Sequence, residues 1–417
     1  MLDRIFHQSD IPQKYHANFL HLYFDIAWFG VLSGSAVNFL NVYAARLGAS
    51  ALQIGLIAAA SAVVNLFFAI PAASWIEKRN INRAVFWSSV FYRLGYALWI
   101  PLPLIANAQL QIWGLITITF LMAIPLTPLG VGFNALFAES VPASYRAHVA
   151  GMRNVVFALT YMASSLISGY LLKTFSFSHG YQLIFGIGFF GAAMSSLHLY
   201  FVRPIRDEEP AVVAIPEPGP DQPAESPRGI FARLRFDILQ SPFRRVLILL
   251  LAFHFAHNIT NPLYALYNVN VLHLNDNAIG IGTALYYLTV FMGSMQLSRV
   301  VRRLGHKRVT GWGVVGLAVY PLLLTLSHEV WQFYLISILG GITWAFVGGA
   351  YANYMLEKIP PDDRPSHLAW YTMALNAAIL FSSFIGPAVG DSLGLVQALV
   401  IFGTLRILVG AAILKWG

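Results

Sequence analysis

Ser298-Arg-Val-Val-Arg-Arg-Leu-Gly-His-Lys-Arg-Val309 is a knot of basic residues set between two long apolar segments. A looser copy stands at Ala73-Ser-Trp-Ile-Glu-Lys-Arg-Asn-Ile-Asn-Arg-Ala84. Placing Arg83 on Arg308 gives an offset of 308 − 83 = 225 residues, and the same offset carries Gln53-Ile54-Gly55 onto Ala278-Ile279-Gly280, well outside the knot. A second pair, Glu139-x-x-Pro142-x-x-x-Arg146 and Glu357-x-x-Pro360-x-x-x-Arg364, repeats at 357 − 139 = 218, and small insertions account for the difference. Self-similarity on this scale predicts one design written twice in the same direction, two like halves joined in the middle.

Hydrophobic residues make up 57% of the chain and charged residues 11%, with a mean hydropathy of +0.64. A soluble domain carries roughly a quarter charged residues, so the solvent for most of this chain is lipid. The 33 Gly and 21 Pro fit membrane helices, which tolerate both. With no Cys, neither a disulfide nor a thiolate ligand is available. The net charge of +8 would suit nucleic acid, but its distribution is that of membrane topology, and no nucleic-acid partner is expected.

Apolar runs of about 20 residues span a bilayer. They fall at 17–46, 51–75, 84–105, 110–138, 149–173 and 180–202, and again at 245–273, 278–300, 309–327, 331–356, 367–392 and 395–414. The fold class is therefore all-α and integral to the membrane: twelve helices in two pseudo-symmetric six-helix bundles, 17–202 and 245–417. Residues 1–16 read as a cytoplasmic lead and not as a cleavable signal peptide. With both termini inside, only Arg46 and Lys173 fall outside, Arg93 and Arg406 lie within spans, and the other Lys and Arg stand on the inner side. The linker, 203–244, starts with an acidic, proline-rich stretch that cannot bury enough apolar area to fold. From Arg228 on, arginines interleave with Ile230, Phe231, Leu234, Ile238 and Leu239, which predicts a helix lying on anionic lipid of the inner leaflet.

The basic knots resemble the loop between helices 2 and 3 of the major facilitator superfamily, Gly-x-x-x-Asp-Arg-x-Gly-Arg-Arg/Lys, and its weaker echo between helices 8 and 9. The second copy matches at Arg303, Gly305 and Lys307, with Ser298 in the first glycine position; Arg302 replaces the acid and His306 one arginine. The first keeps Glu77 and Lys78, but Asn80, Ile81 and Asn82 replace the glycine and the final basic pair. The resemblance extends to the twelve spans and the long central loop, and implies a secondary transporter of the cytoplasmic membrane, not an enzyme. In that family the loop latches the outward-open state. By resemblance Glu77, Lys78, Arg303 and Lys307 would form the latch, with Glu139, Arg146, Glu357 and Arg364 at the inner helix ends as their partners. Topogenic charge with no gating duty is the competing reading.

Within lipid an ionisable residue is costly and marks function by default. The deep ones are Asp25, Arg93, His254, His257 and Arg406. In the seventh span His254, His257, Asn258, Asn261 and Asn268 fall on one helical face, which predicts a wet cavity or, failing that, a polar seam. The resemblance implies a cavity there. Trp28, Tyr161, Tyr286, Tyr287, Trp344, Trp370 and Tyr371 are aromatic candidates for the same space. The His pair lacks a third ligand, so no metal is assigned, and no cofactor is implied. Gly386-Pro387-x-x-Gly390 is similar to an antiporter signature of the family, but stands in the eleventh span, not the fifth.

Asp25 is a candidate for the coupling proton, with Arg93, His254 and His257 as further proton-handling candidates. Asp25 has two rivals to that role: a permanent pair with Arg93, which sits at similar depth, or direct contact with substrate. The sequence thus predicts a monomeric secondary transporter that moves a small organic solute by rocking alternating access, with protons as partners. No cluster of cavity arginines points to a phosphorylated or dianionic solute. Export of amphipathic compounds leads, because the cavity candidates are aromatics and neutral amides. Proton-linked uptake of a sugar or other neutral nutrient is the alternative, and a non-transporting membrane sensor of the same fold is the alternative of another class.

Overall fold

The structure, a computed structural model, describes residues 12–205, 235–360 and 363–417, and of residues 14, 70, 73, 77, 147 and 365 the backbone alone. Twelve helical rods cross it. In the first half these are α1 (Gln13–Leu32, a π-helical segment Ser33–Val37, then Asn38–Arg46), α2 (Ala51–Glu77), α3 (Ile81–Trp99), α4 (Ala108–Ser140), α5 (Ala143–Thr174) and α6 (Phe177–Phe201). The second half holds α7 (Phe243–Asn258, Asn261–Leu266, then π-helical Tyr267–Val271), α8 (Asp276–Leu304), α9 (His306–Gly316 and Val319–Leu324), α10 (Val330–Leu356), α11 (Arg364–Leu393) and α12 (Leu395–Trp416).

The internal repeat is visible in the helix ends. Ser50 caps α2, accepting a hydrogen bond from the Gln53 amide while the Gln53 side chain accepts from the Ser50 amide. At an offset of 225 the corresponding residue is Asn275, whose side chain caps α8 at the Ala278 amide. The same offset carries the start of α3, Ile81, onto the start of α9, His306, and its end, Trp99, onto the last residue of α9, Leu324. The irregular stretches also correspond: Ser33–Val37 maps onto 258–262, where α7 breaks before Pro262.

Ten of the rods are long and apolar enough to cross a membrane unaided. The two that are not, α3 and α9, occupy the same repeat position. In α3 the cause is polarity, since Asn82, Arg83, Ser88, Ser89 and Arg93 all fall within 19 residues. In α9 it is a break at Leu317–Ala318, just before Pro321.

Apolar packing tells which way the two bundles lean. At the face opposite the chain termini, both bundles feed one core, where Phe39, Tyr43, Ile54 and Phe185 meet Leu263, Tyr267, Leu274 and Ile279. Toward the terminal face the cores are separate: Phe19, Leu22, Val85 and Leu136 in the first bundle, Phe243, Leu250, Phe253 and Tyr354 in the second. The protein is therefore closed at the opposite face and parted at the terminal one.

Most of the acidic part of the linker, along with Arg228, Ile230, Phe231, Arg233 and Leu234, lies outside the described residues. Only the end of the expected leaflet helix is described, and there the chain is not a surface α-helix. Phe236–Gln240 is a 3-10 turn with Ile238 buried in the second bundle, Arg235 pairs with Asp237 and Asp363, and Arg244 and Arg245 begin α7. At the other end, Arg203 exchanges hydrogen bonds with the Asn18 side chain, and the Ile205 amide donates to the Glu139 carbonyl. The chain thus leaves the first bundle tied down.

Candidate functional site

A cavity of about 280 Å³ lies between the bundles. α7 supplies His257, Asn261, Tyr264 and Asn268; Tyr286 and Tyr287 come from α8, Tyr320 from α9, Asn38 and Tyr161 from the first bundle, and Arg406 from α12. The polar stripe of α7 is divided between this cavity and the protein interior. His254 is buried and hydrogen bonded to the Tyr371 hydroxyl at 2.7 Å. Asn258 turns along its own helix, donating to the His254 carbonyl and accepting from Asn261. His257 stacks on Trp344, ring centroids 4.6 Å apart. Its Nδ1, the Tyr264 hydroxyl and the Asn268 Oδ1 are buried without a hydrogen-bond partner among protein atoms. A buried polar group left unpaired costs about 1–3 kcal/mol, and three such atoms belong to residues that line this one cavity.

Arg406 has a specific duty at this cavity. Pro321 has no N–H to offer the carbonyl four residues before it, Leu317, and the break before Pro262 frees others. Arg406 Nη1 donates to the Leu317 carbonyl at 2.8 Å, Nε to Ala256 at 3.1 Å and Nη2 to His257 at 3.0 Å, with Thr260 Oγ1 as a fourth acceptor. It has no carboxylate partner among the described residues. Two helix ends, each carrying partial negative charge, take that place. One guanidinium therefore ties the breaks of α7 and α9 together. Arg406→Gln is expected to lower stability by about 1–3 kcal/mol through orphaned carbonyls, and Arg406→Lys to recover only part, since an ammonium lacks the planar fork. Thermal unfolding of the purified variants checks this; unchanged melting would remove Arg406 from that duty.

A second polar cluster sits inside the first bundle, apart from the cavity. The Asp25 carboxylate, on a residue 3% exposed, receives Arg153 Nη1 at 3.0 Å, faces Arg93 Nη2 at 3.7 Å and accepts the Ser195 hydroxyl. Arg93 also donates to Ser89 and Ser196, and Arg153 to the Leu22 carbonyl. The cluster ties α1, α3, α5 and α6 with two cations to one anion. Next to it His21 and His198 share a hydrogen bond at 3.0 Å. The sequence counts Arg153 with the inner-side charges, although the expected fifth span contains it, and gives it no duty; the structure places it well inside α5, facing Asp25.

The other candidates are spread out. Trp28 lies outside the cavity, in a lateral groove between α1 and α6, edge-on to Phe190. Trp370 packs edge-on against Phe236. Of the latch candidates, the Glu77 side chain lies outside what is described. Lys78, Glu139, Arg303, Lys307 and Arg364 stand at the terminal face; Arg146 donates to the Ala138 and Val141 carbonyls, and Glu357 faces His306 at 3.9 Å. Among the described residues no ion pair crosses between bundles at that face. One crosses at the opposite face, Arg46 to Asp276 at 3.0 Å, with Arg46 donating also to the Leu274 carbonyl.

Around that bridge the bundles touch through glycines. A Cβ on Gly55 of α2 would collide with the Ser383 carbonyl oxygen of α11 and sit 2.9 Å from Pro387, and one on Gly280 of α8 would sit 2.7 Å from the Ser165 carbonyl of α5. Gly55 and Gly280 are the two repeat-related glycines of the sequence. Pro387 takes part in the same contact, while its neighbour Gly386 packs within the second bundle, against the Ile259 carbonyl at the break of α7. Toward the terminal face α5, α8 and α10 part around a crevice of about 590 Å³.

A family model described as Major Facilitator Superfamily matches residues 26–275 and 246–416. The cis,cis-muconate transport protein of Acinetobacter baylyi is 23% identical over 286 residues, 66% of each chain. Multidrug resistance protein 1 of Bacillus subtilis is 29% identical over 31% of this chain and 32% of its own. The class B tetracycline resistance protein of Escherichia coli is 26% identical over 28% of each. The matched part thus spans two thirds or less of these relatives. Among solved structures, a mutant form of the nucleoside transporter NupG superposes with a TM-score of 0.72 at 12% identity, covering 95% of this chain and 99% of that one. A D-xylose-proton symporter gives 0.71 at 15%, covering 96% and 97%.

Proposed function

The chain belongs to the Major Facilitator Superfamily, and from that premise we propose that it moves a small organic solute through the central cavity by alternating access, driven by a proton gradient. Export of amphipathic compounds is the reading the cavity supports best. The lining carries it: five tyrosines and three asparagines meet there, while Arg406 spends its N–H groups on helix carbonyls. Such a surface selects by shape, stacking and neutral hydrogen bonds. The partial similarity to a multidrug and a tetracycline resistance protein agrees with this. Proton-linked uptake of a sugar or other neutral nutrient is the second reading, kept because the longer alignment is with a protein named for transport of a small organic solute and not for resistance.

With the termini in the cytoplasm, as the placement of Lys and Arg argues, the arrangement described above faces inward. The terminal-face charges Lys78, Glu139, Arg303 and Lys307 would then meet when the bundles rock outward. We place the coupling proton on His257, which borders the cavity with an unpaired ring nitrogen, and adopt for Asp25 the paired reading, because two guanidinium groups already face it.

Purified protein screened by thermal shift against drugs, sugars, amino acids and nucleosides, then reconstituted with an imposed pH gradient, tests the whole. The expected result is gradient-driven accumulation of a hit, lost in His257→Gln with solute exchange retained. Failure of every hit to move in either direction would sink the transport reading; full gradient-driven transport in His257→Gln would move the proton elsewhere.

A further inference from the structure

We propose that the crevice between α5, α8 and α10 is a second solute site, which takes a neutral planar aromatic compound, and that Tyr161 and Tyr287 form the gate between it and the central cavity. This rests on the amphipathic-solute reading above and extends it from one site to two in series. The crevice holds about 590 Å³, more than the cavity it adjoins. Phe157, Phe291, Trp344 and Tyr351 stand among its walls, Asn154 and Ser294 offer neutral hydrogen bonds, and no charged side chain lines it among the described residues. A charged solute there would lose its water without gaining a partner, whereas an aromatic one would gain stacking faces.

Two glycines sharpen the choice of ligand. Glycine weakens a helix interior, so its presence there needs a reason. At most inter-helix positions the reason is packing. At Gly151 a Cβ would meet nothing within 4 Å, and at Gly348 only the Trp344 ring at 3.5 Å. What they provide is bare backbone on two walls of the crevice, α5 and α10, and at Gly348 a surface beside Trp344 on which a ring can lie. Trp344 in turn stacks on His257, a residue of the central cavity, so one wall serves both spaces.

The partition is equally defined. Tyr287 of α8 lines the cavity and the crevice alike. Tyr161 of α5 stacks on it, ring centroids 4.0 Å apart at 28°, with Phe157 one turn away. One ring comes from each bundle, so any motion that separates α5 from α8 opens the partition, and the stack closes when they return.

The absence of cysteine makes the test direct. Ser294→Cys reports on the crevice and Asn261→Cys on the cavity, each labelled by a water-soluble thiol reagent in the otherwise unchanged full chain. At 1-naphthol ten times its Kd, labelling at position 294 should slow roughly tenfold. It should still slow when Asn268→Trp fills the cavity, while naphthoate and naphthylmethylammonium, of similar shape but charged, should not protect. Gly348→Leu, which has room to fold, should abolish protection at 294 and leave that at 261. Protection at 261 alone, or equal protection by the charged compounds, would overturn the second site and leave the transport reading standing. Protection at neither position would overturn both the site and the amphipathic-solute reading.

Discussion

Replacing Asp25 with asparagine is expected to cost about 3–5 kcal/mol of stability, more than replacing either arginine it faces. Its carboxylate is the only anion among the described members of a cluster that holds the buried Arg93 and the partly buried Arg153 at the junction of four helices. Removing it leaves two guanidinium groups with Ser89, Ser196 and the Leu22 carbonyl but no counter-charge. Arg153→Gln, by contrast, leaves the Asp25–Arg93 pair and the Ser195 hydroxyl in place, so its effect should be smaller. Rescue of Asp25→Asn should require neutralising both arginines; neutralising Arg93 alone should be insufficient. The fraction of inserted, monodisperse protein and its melting temperature in detergent read these outcomes. If Asp25→Asn inserts and melts like the parent but no longer accumulates solute on a pH gradient, the carboxylate carries the coupling proton and the paired reading falls.

Valine at Gly55 or Gly280 should drive the protein out of the arrangement described here. The first Cβ would collide with a backbone oxygen of α11 and the second with one of α5, and backbone cannot turn aside as a flexible side chain does. Overpacking of this kind costs about 1–3 kcal/mol, which shifts a two-state equilibrium roughly 5–150-fold. Rocking as proposed above would draw these contacts apart, so the cost should fall on the closed state and the population should move toward the other. Spin labels placed across that face on α2 and α11 should report longer distances in both variants, and a double variant should be driven further. Unchanged distances would mean that these glycines serve packing within the closed state without controlling access to it.

Sequence patterns reach the elements whose determinants are local. The offset that pairs Ser50 with Asn275 and Ile81 with His306 works because caps and helix starts are written in a few consecutive residues. The α7 stripe is legible as one face, yet only the fold shows that His257, Asn261 and Asn268 reach the cavity while His254 turns to Tyr371. Trp28 illustrates a different limit. Lipid-facing and cavity-facing positions both accept aromatic rings, so composition does not tell which way it points. Arg153 lies inside the expected fifth span, yet its charge reads as topology, because only the fold brings Asp25 of α1 beside it. The duty of Arg406 cannot be read along the chain, because its acceptors lie on helices 89 to 150 residues away.

The two rods that are not both long and apolar enough to cross a membrane unaided, α3 for its polarity and α9 for its break, impose an order on biogenesis. An arginine at the centre of a nascent segment is disfavoured by about 2.5–3.5 kcal/mol at the translocon, and α3 carries Arg93. Its counter-ion, Asp25, belongs to α1 and has already been synthesised when α3 emerges. The partners that complete the site, Arg153 on α5 and Ser195 and Ser196 on α6, come later. α3 should therefore enter the bilayer against α1 rather than alone. α9 should likewise settle fully only when α12, made after it, delivers Arg406 to the carbonyl left open at its break.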